Sequence, residues 1–207
     1  MRTLIWREIV DHAAYLLLVA LLSAIMTVPL LVFSDAGDVE AGVLVTVIWV
    51  LPFALLGCCA LGVGQMAADR AGRISSFLST QAVTRGQILW ARLLVGLLAV
   101  LIVLVPVGIA AVIVLQRTVS PFMFYSHWVA RIYAIVFLVA MANYGLGLQI
   151  GWHTRKVILL FGALLLPATV MALVVIKGFT ADTIIVLLAL ILALAVSVAL
   201  RFHSTPL

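Results

Sequence analysis

The stretch LLVGLLAVLIVLVPVGIAAVIVL, residues 93–115, decides the fold class. It holds no charged side chain, and Arg92 and Arg117 stand just outside it. The hydrocarbon core of a bilayer requires about 20 mainly apolar residues per helix. Strands of a membrane barrel would read as runs of about 10 residues with alternating polarity, which is not the pattern here. Outward from this stretch, residues 13–33, 43–67, 129–151, 157–176 and 183–200 are likewise apolar and almost free of charge, each bounded by polar or charged residues. The chain reads as an all-α integral membrane protein with six transmembrane helices in a single transmembrane domain over residues 1–207.

Composition supports this. Hydrophobic residues make up 67% of the 207 and charged residues 9%, where globular domains have about 45–50% and 25%. So few charges cannot form the polar shell of a soluble fold, so a cytosolic enzyme, a disulfide-rich secreted domain and a disordered chain fit poorly. The net charge of +5 would suggest nucleic acid in a soluble protein. Here the basic residues sit in short loops and read as topology signals, with no nucleic-acid partner expected. Cys58 and Cys59 are adjacent in an apolar run. Neighbours on a helix point about 100° apart, so the pair reads as small core residues, not as a disulfide or metal site.

Orientation follows from Lys and Arg. One set of loops carries nine basic residues: Arg2, Arg7, Arg70, Arg73, Arg85, Arg92, Arg155, Lys156 and Arg201. The opposite set carries three, Arg117, Arg131 and Lys177, and the loop 34–42 is purely acidic. Both termini are therefore expected in the cytoplasm, with the protein in a bacterial-type cytoplasmic (inner) membrane. A signal peptide is the competing reading of the first span, since Arg2 and Arg7 resemble its basic flank. The apolar run exceeds the roughly 7–15 residues of a signal core, which favours an uncleaved first span. Ile5, Trp6, Ile9 and Val10 alternate helically with Arg7, Glu8, Asp11 and His12. That period predicts an N-terminal interfacial helix over residues 1–12, lying on the membrane surface.

Residues 69–87 form the most informative segment. Ala71, Ile74, Phe77 and Leu78 share one helical face, while Arg73, Ser76 and Thr80 fall on another. Periodicity alone predicts an amphipathic helix at the cytoplasmic surface, and resting on lipid would explain it. The residue order adds more. Asp69-Arg70, Gly72, Phe77-Leu78, Val83-Thr84-Arg85 and Ile88-Leu89 resemble the permease subunits of ABC-2 type transporters. The family has an acidic–Arg pair after the second span, a Gly and a hydrophobic pair, a Pro-Val-Ser/Thr-Arg turn, and a third helix opening with Ile-Leu. Ala82 and Arg92 depart from it, where Pro and Lys are usual.

The resemblance implies a cytoplasmic coupling helix between spans two and three, within residues 69–87, seated on a separate ABC ATPase subunit. Arg70, Arg73, Ile74, Phe77, Leu78 and Arg85 would make that contact, and Arg155 and Lys156 would belong to a second, shorter one near residues 152–157. It also implies a homodimer, or a heterodimer with a related permease. Many family members carry re-entrant helices between spans five and six, and residues 177–182 are too few to hold them. Within the family, Arg155-Lys156-Val157-Ile158 leading to Leu166-Pro167 resembles the heme exporter permease B of cytochrome c maturation.

Polar residues inside a bilayer are costly and each invites a reason. Asn143, Gly147 and Gly151 are spaced i, i+4, i+8 in the fourth span, with Gln149 nearby. The glycines would admit another helix, and Asn143 could hydrogen-bond across that contact; lining a substrate path is the other reading. Ala60 and Gly64, with Gly57 a turn earlier, offer a second close-packing face. Ser23 and Thr27 can bond back to their own helix. Pro29, Pro52, Pro106 and Pro167 each remove a backbone donor and can kink a span.

Nothing in the sequence points to catalysis. There is no phosphate-binding Gly-x-x-x-x-Gly-Lys-Ser/Thr loop, so ATP would come only through the partner subunit, and the chain reads as no enzyme by itself. No His pairs with a carboxylate or Cys at metal-ligand spacing, so no metal site is expected. His127 beside Trp128 reads as an interfacial anchor more readily than as a heme or metal ligand. No acidic residue sits within a span, which disfavours an ion-coupled carrier. The expected function is the permease subunit of an ABC-type exporter, for heme or another amphipathic cargo. Its alternative is a membrane scaffold that transports nothing.

Overall fold

In the computed structural model, the described residues are 6, 9–10, 13–35, 51–72, 85–118, 126–153 and 156–204. They contain six long helices and no strand. These are α1 (Ala13–Asp35), α2 (Leu51–Gly72), α3 (Arg85–Thr118), α4 (Ser126–Ile150), α5 (Lys156–Lys177) and α6 (Ala181–Ser204). Windows in α3, α4 and α6 are long and apolar enough to cross a membrane, while α1, α2 and α5 hold shorter apolar stretches among the described residues. Residues 43–50 of the expected second span lie outside the described residues, as do most of the expected N-terminal helix and residues 73–84.

Helix α3 differs most from the sequence expectation. It begins at Arg85, well ahead of the apolar run that starts at Leu93, and continues for 34 residues. At 1.5 Å per residue that is roughly 50 Å, against a hydrocarbon core of about 30 Å. No helix breaker interrupts residues 87–92, and Ile88, Leu89 and Ala91 are buried. The first turns are thus held by packing, not by apolar composition alone.

Helix α4 is the centre of the assembly. It packs on α2 most extensively, then on α6 and α5, while α1 lies chiefly along α3. Gly147 meets Cys59 and Gly151 meets Met66, so residue numbers rise together and α2 runs parallel to α4. Gly96 meets Tyr144 whereas Gly108 meets Tyr133, so α3 runs antiparallel to α4. Half of α4's apolar window is buried, against 17% for α6. The outer faces carry Leu17, Leu21 and Ile25 on α1, Leu164 and Leu165 on α5, and Ile185, Leu192 and Val196 on α6, all exposed. Contiguous apolar surface of this kind suits hydrocarbon contact, since soluble proteins keep such patches small.

The connection from α5 to α6 is a three-residue turn. Gly178 adopts φ of 73° and its N–H bonds the Val174 carbonyl at 2.8 Å, closing α5 with a left-handed cap. Thr183 donates to the Gly178 carbonyl at 2.7 Å and lies 3.2 Å from the Thr180 hydroxyl at the start of α6. With α5 ending at Lys177 and α6 starting at Ala181, there is no room for a re-entrant helix between them.

Candidate functional site

The α2–α4 seam is built on glycines. A Cβ at Gly62 would stand 2.5 Å from the Tyr144 carbonyl oxygen and 2.8 Å from the Leu148 nitrogen. At Gly147 it would fall on the Cys59 carbonyl, and at Gly151 it would come 2.6 Å from the Met66 Cβ. At Gly62 and Gly147 these are approaches to backbone that no side chain permits, the usual way membrane helices gain close packing. Ala60 and Gly64, a second small-residue face by spacing, do not take part. Both are exposed, and a Cβ at Gly64 meets nothing within 4 Å. Gly147 and Gly151 already provide the room on α4, so the single Gly62 suffices on α2 and the contact stripe follows Cys59, Gly62 and Met66 instead.

Polar groups gather beside this seam. Gln65, Arg92, Asn143 and Tyr144 are each at most 2% exposed. The Tyr144 hydroxyl lies 2.7 Å from Gln65 Oε1 and 2.9 Å from the Arg92 carbonyl oxygen. A hydroxyl has one proton, so it cannot donate to both. Exchanging the Gln65 amide oxygen and nitrogen lets Nε2 donate to Tyr144 while Tyr144 donates to Arg92. Where it stands, Gln65 Nε2 has no partner among the described residues. The Tyr144 ring is seated on Gly96, where a Cβ would collide with it. Arg92 Nη1 reaches the Met66 sulfur at 3.7 Å, bringing α2 and α3 together at the same level. One tyrosine on α4 therefore ties α2 to α3, two turns inside each end of the 73–84 link.

Asn143 breaks the expected pattern. It is fully buried on the Gly147–Gly151 face, yet neither amide atom has a hydrogen-bond partner among the described residues. Gln149 points elsewhere, its Nε2 3.4 Å from the Leu194 carbonyl on α6. Ser23 also departs from expectation, donating across to the Val103 carbonyl of α3 at 2.9 Å, while Thr27 bonds its own helix at Ala24, 2.8 Å away. Tyr15 donates to the Gly57 carbonyl on α2. Cys58 and Cys59 are free and buried.

Of the coupling residues, Arg73, Ile74, Phe77 and Leu78 lie outside the described residues, as does Arg155. Arg70 sits in the last turns of α2, Arg85 opens α3 and Lys156 opens α5. Arg92, a topology signal in the sequence and a departure from the family pattern, is buried inside the helical assembly. Gln65 and Gly96 were not singled out in the sequence, although a glutamine within an apolar span is itself a signal. A cavity of about 50 Å³ between α3, α4 and α6 is lined by Leu89, Leu93, Met141, Tyr144, Leu194 and Val198, among others. Small-molecule sites occupy about 300–1,000 Å³, so this cavity holds no sizeable cargo. No group of His, Cys, Asp and Glu that could hold a metal occurs among the described residues.

Tyr144→Phe removes the hydroxyl and leaves the facing Gln65 amide without it. The expected cost is about 1–3 kcal/mol, the range for a buried polar group deprived of its partner. A detergent-unfolding midpoint that does not move would show that the hydroxyl contributes nothing.

Comparison of the chain with protein-family models, with curated proteins and with solved structures gives no match.

Proposed function

We propose that the chain is the transmembrane permease subunit of an ABC-type exporter, forming the translocation path and driven by a separate ATPase subunit. The observation that carries this reading is the residue order Asp69-Arg70, Gly72, Phe77-Leu78, Val83-Thr84-Arg85, running from the end of α2 through the link to the first residue of α3. The geometry at the ends of that link supports it. Gln65 and Arg92 flank the link and meet at Tyr144, so force applied to residues 73–84 would reach the central helix α4. In this reading all six helices span an inner membrane of bacterial type, with both termini in the cytoplasm and residues 1–12 on its surface. Two copies, or this chain and a related permease, form the pathway. Nucleotide-driven closure of the ATPase pushes the link and switches the helices between two packings. Heme or another amphipathic molecule is the cargo class, by the narrower resemblance of residues 155–167.

Affinity purification from native membranes tests the reading. An ATPase subunit is expected with the wild-type chain and should be lost when Ile74→Asp and Phe77→Asp are combined. Retention of the complex by that double variant would remove the coupling assignment. An intact membrane protein that recovers no ATPase would favour a scaffold.

A further inference from the structure

We propose that Asn143 and Gln65 line a passage for water and hydrogen-bonding groups that opens when α2 and α4 part. This deepens the permease reading and rests on it. The starting point is an imbalance in hydrogen bonding. Both amide atoms of Asn143, and one of Gln65, have no partner among the described residues, and both side chains are buried. Native structures leave few such groups, and in hydrocarbon no water can reach them. The packed arrangement is therefore penalised at this place, and an arrangement that admits water or a hydrogen-bonding ligand removes the penalty.

The two amides lie along the α2–α4 seam. Asn143 precedes Gly147 by one turn on α4, and Gln65 follows Gly62 by three residues on α2. Between them the contact is largely backbone against backbone, at Gly62, Gly147 and Cys59. Parting the helices there unlocks few interdigitated side chains. Tyr144, which bonds Gln65 on one side and the Arg92 carbonyl on the other, places this seam next to the ends of the 73–84 link. The existing cavity of about 50 Å³ lies on the other side of Tyr144, against α6, and is almost wholly apolar. Amides with free hydrogen-bonding capacity are thus found at the α2–α4 seam, and a polar route would run there.

The chain carries its own reporters. Cys58 and Cys59 are its two cysteines, and both are buried on α2 at the level of this seam. A negatively charged maleimide reaches them only through water. The full chain, in nanodiscs of phosphatidylethanolamine and phosphatidylglycerol, is incubated with this reagent and the labelled fraction is followed by intact mass. The wild type is expected to label slowly. Asn143→Leu removes the penalty from the closed arrangement, so it should label about tenfold more slowly, the factor for one relieved buried amide. It should also unfold at a higher temperature. Asn143→Val, which likewise removes both unpartnered amide atoms, should move both readings in the same direction, and guards against a folding defect in the first variant. Thr27→Val, which removes only a hydroxyl bonded to the Ala24 carbonyl of its own helix, should change neither. Wild-type thiols that never label, or an Asn143→Leu protein that labels as fast and melts lower, would overturn the proposal. Neither result depends on an ATPase. Loss of the seam effect with co-purification intact strikes this inference alone, and the reverse strikes the ATPase-coupling assignment alone.

Discussion

Replacing Gly147 with alanine is expected to destabilise the helical assembly by about 2–3 kcal/mol, the upper part of the range for overpacking a tight interior. The added methyl would fall on the carbonyl of Cys59, which belongs to the backbone of α2 and cannot rotate away. Relief requires that α2 and α4 separate along their length, at the expense of the Gly62 and Gly151 contacts on either side. The same substitution at Gly64 makes the control. It lies on α2 as well, but a Cβ there meets nothing within 4 Å. Gly64→Ala should be neutral or gain up to about 1 kcal/mol, because alanine loses less backbone freedom in a helix. Unfolding midpoints in a detergent titration compare the two directly. Gly147→Ala should also speed labelling of Cys58 and Cys59, opposite to Asn143→Leu, because it wedges open the seam that the other variant closes. If Gly147→Ala is no less stable than Gly64→Ala, the close approach of α2 and α4 is wrong.

How far this was legible from sequence depends on what kind of signal each residue carries. Apolar runs bounded by charges placed the helices, because the cost of charge in hydrocarbon is local and can be counted residue by residue. The Gly147–Gly151 spacing marked a face where another helix can come close. It could not say which helix, since that depends on how the chain returns in space. On α2 the spacing of Ala60 and Gly64 pointed to one face, and the contact uses Gly62 instead. Small residues permit close packing without requiring it.

The polar residues were harder to read for the same reason. Ser23 can bond back to its own helix, but a neighbouring carbonyl at Val103 accepts its proton. Arg92 was counted with the basic loop residues, yet α3 extends past it and the side chain lies inside. The guanidinium as well as the stem is covered, with Nη1 against the Met66 sulfur of α2. Asn143 was expected to find a partner across the glycine face, and it has none among the described residues. That discrepancy separates two kinds of buried amide. One bonded across the seam would hold the helices together, whereas one left unbonded favours their separation. Only the packed geometry tells which applies.

Gly96 and Tyr144 should show clear pairwise coupling. Gly96→Ala alone is expected to cost about 2–3 kcal/mol, because the new methyl collides with the Tyr144 ring. The ring has little freedom to yield, since its hydroxyl faces Gln65 on α2 and the Arg92 carbonyl on α3. Tyr144→Leu alone should also be costly, losing the hydroxyl and leaving unfilled volume. Combined, the two should not add. A leucine side chain is shorter than the ring and vacates the space that the alanine methyl requires. A double-mutant cycle read from unfolding midpoints is therefore expected to return a coupling of about 1–2 kcal/mol, within the range for residues in contact. Simple additivity would mean that the ring does not occupy the Gly96 notch, and the tie between α2, α3 and α4 would fall with it. The sign of the coupling bears on the link as well. If the tyrosine is held at Gly96 and bonded on both sides, the two ends of residues 73–84 move with α4, whereas a ring that floats would let the link swing without moving the central helix.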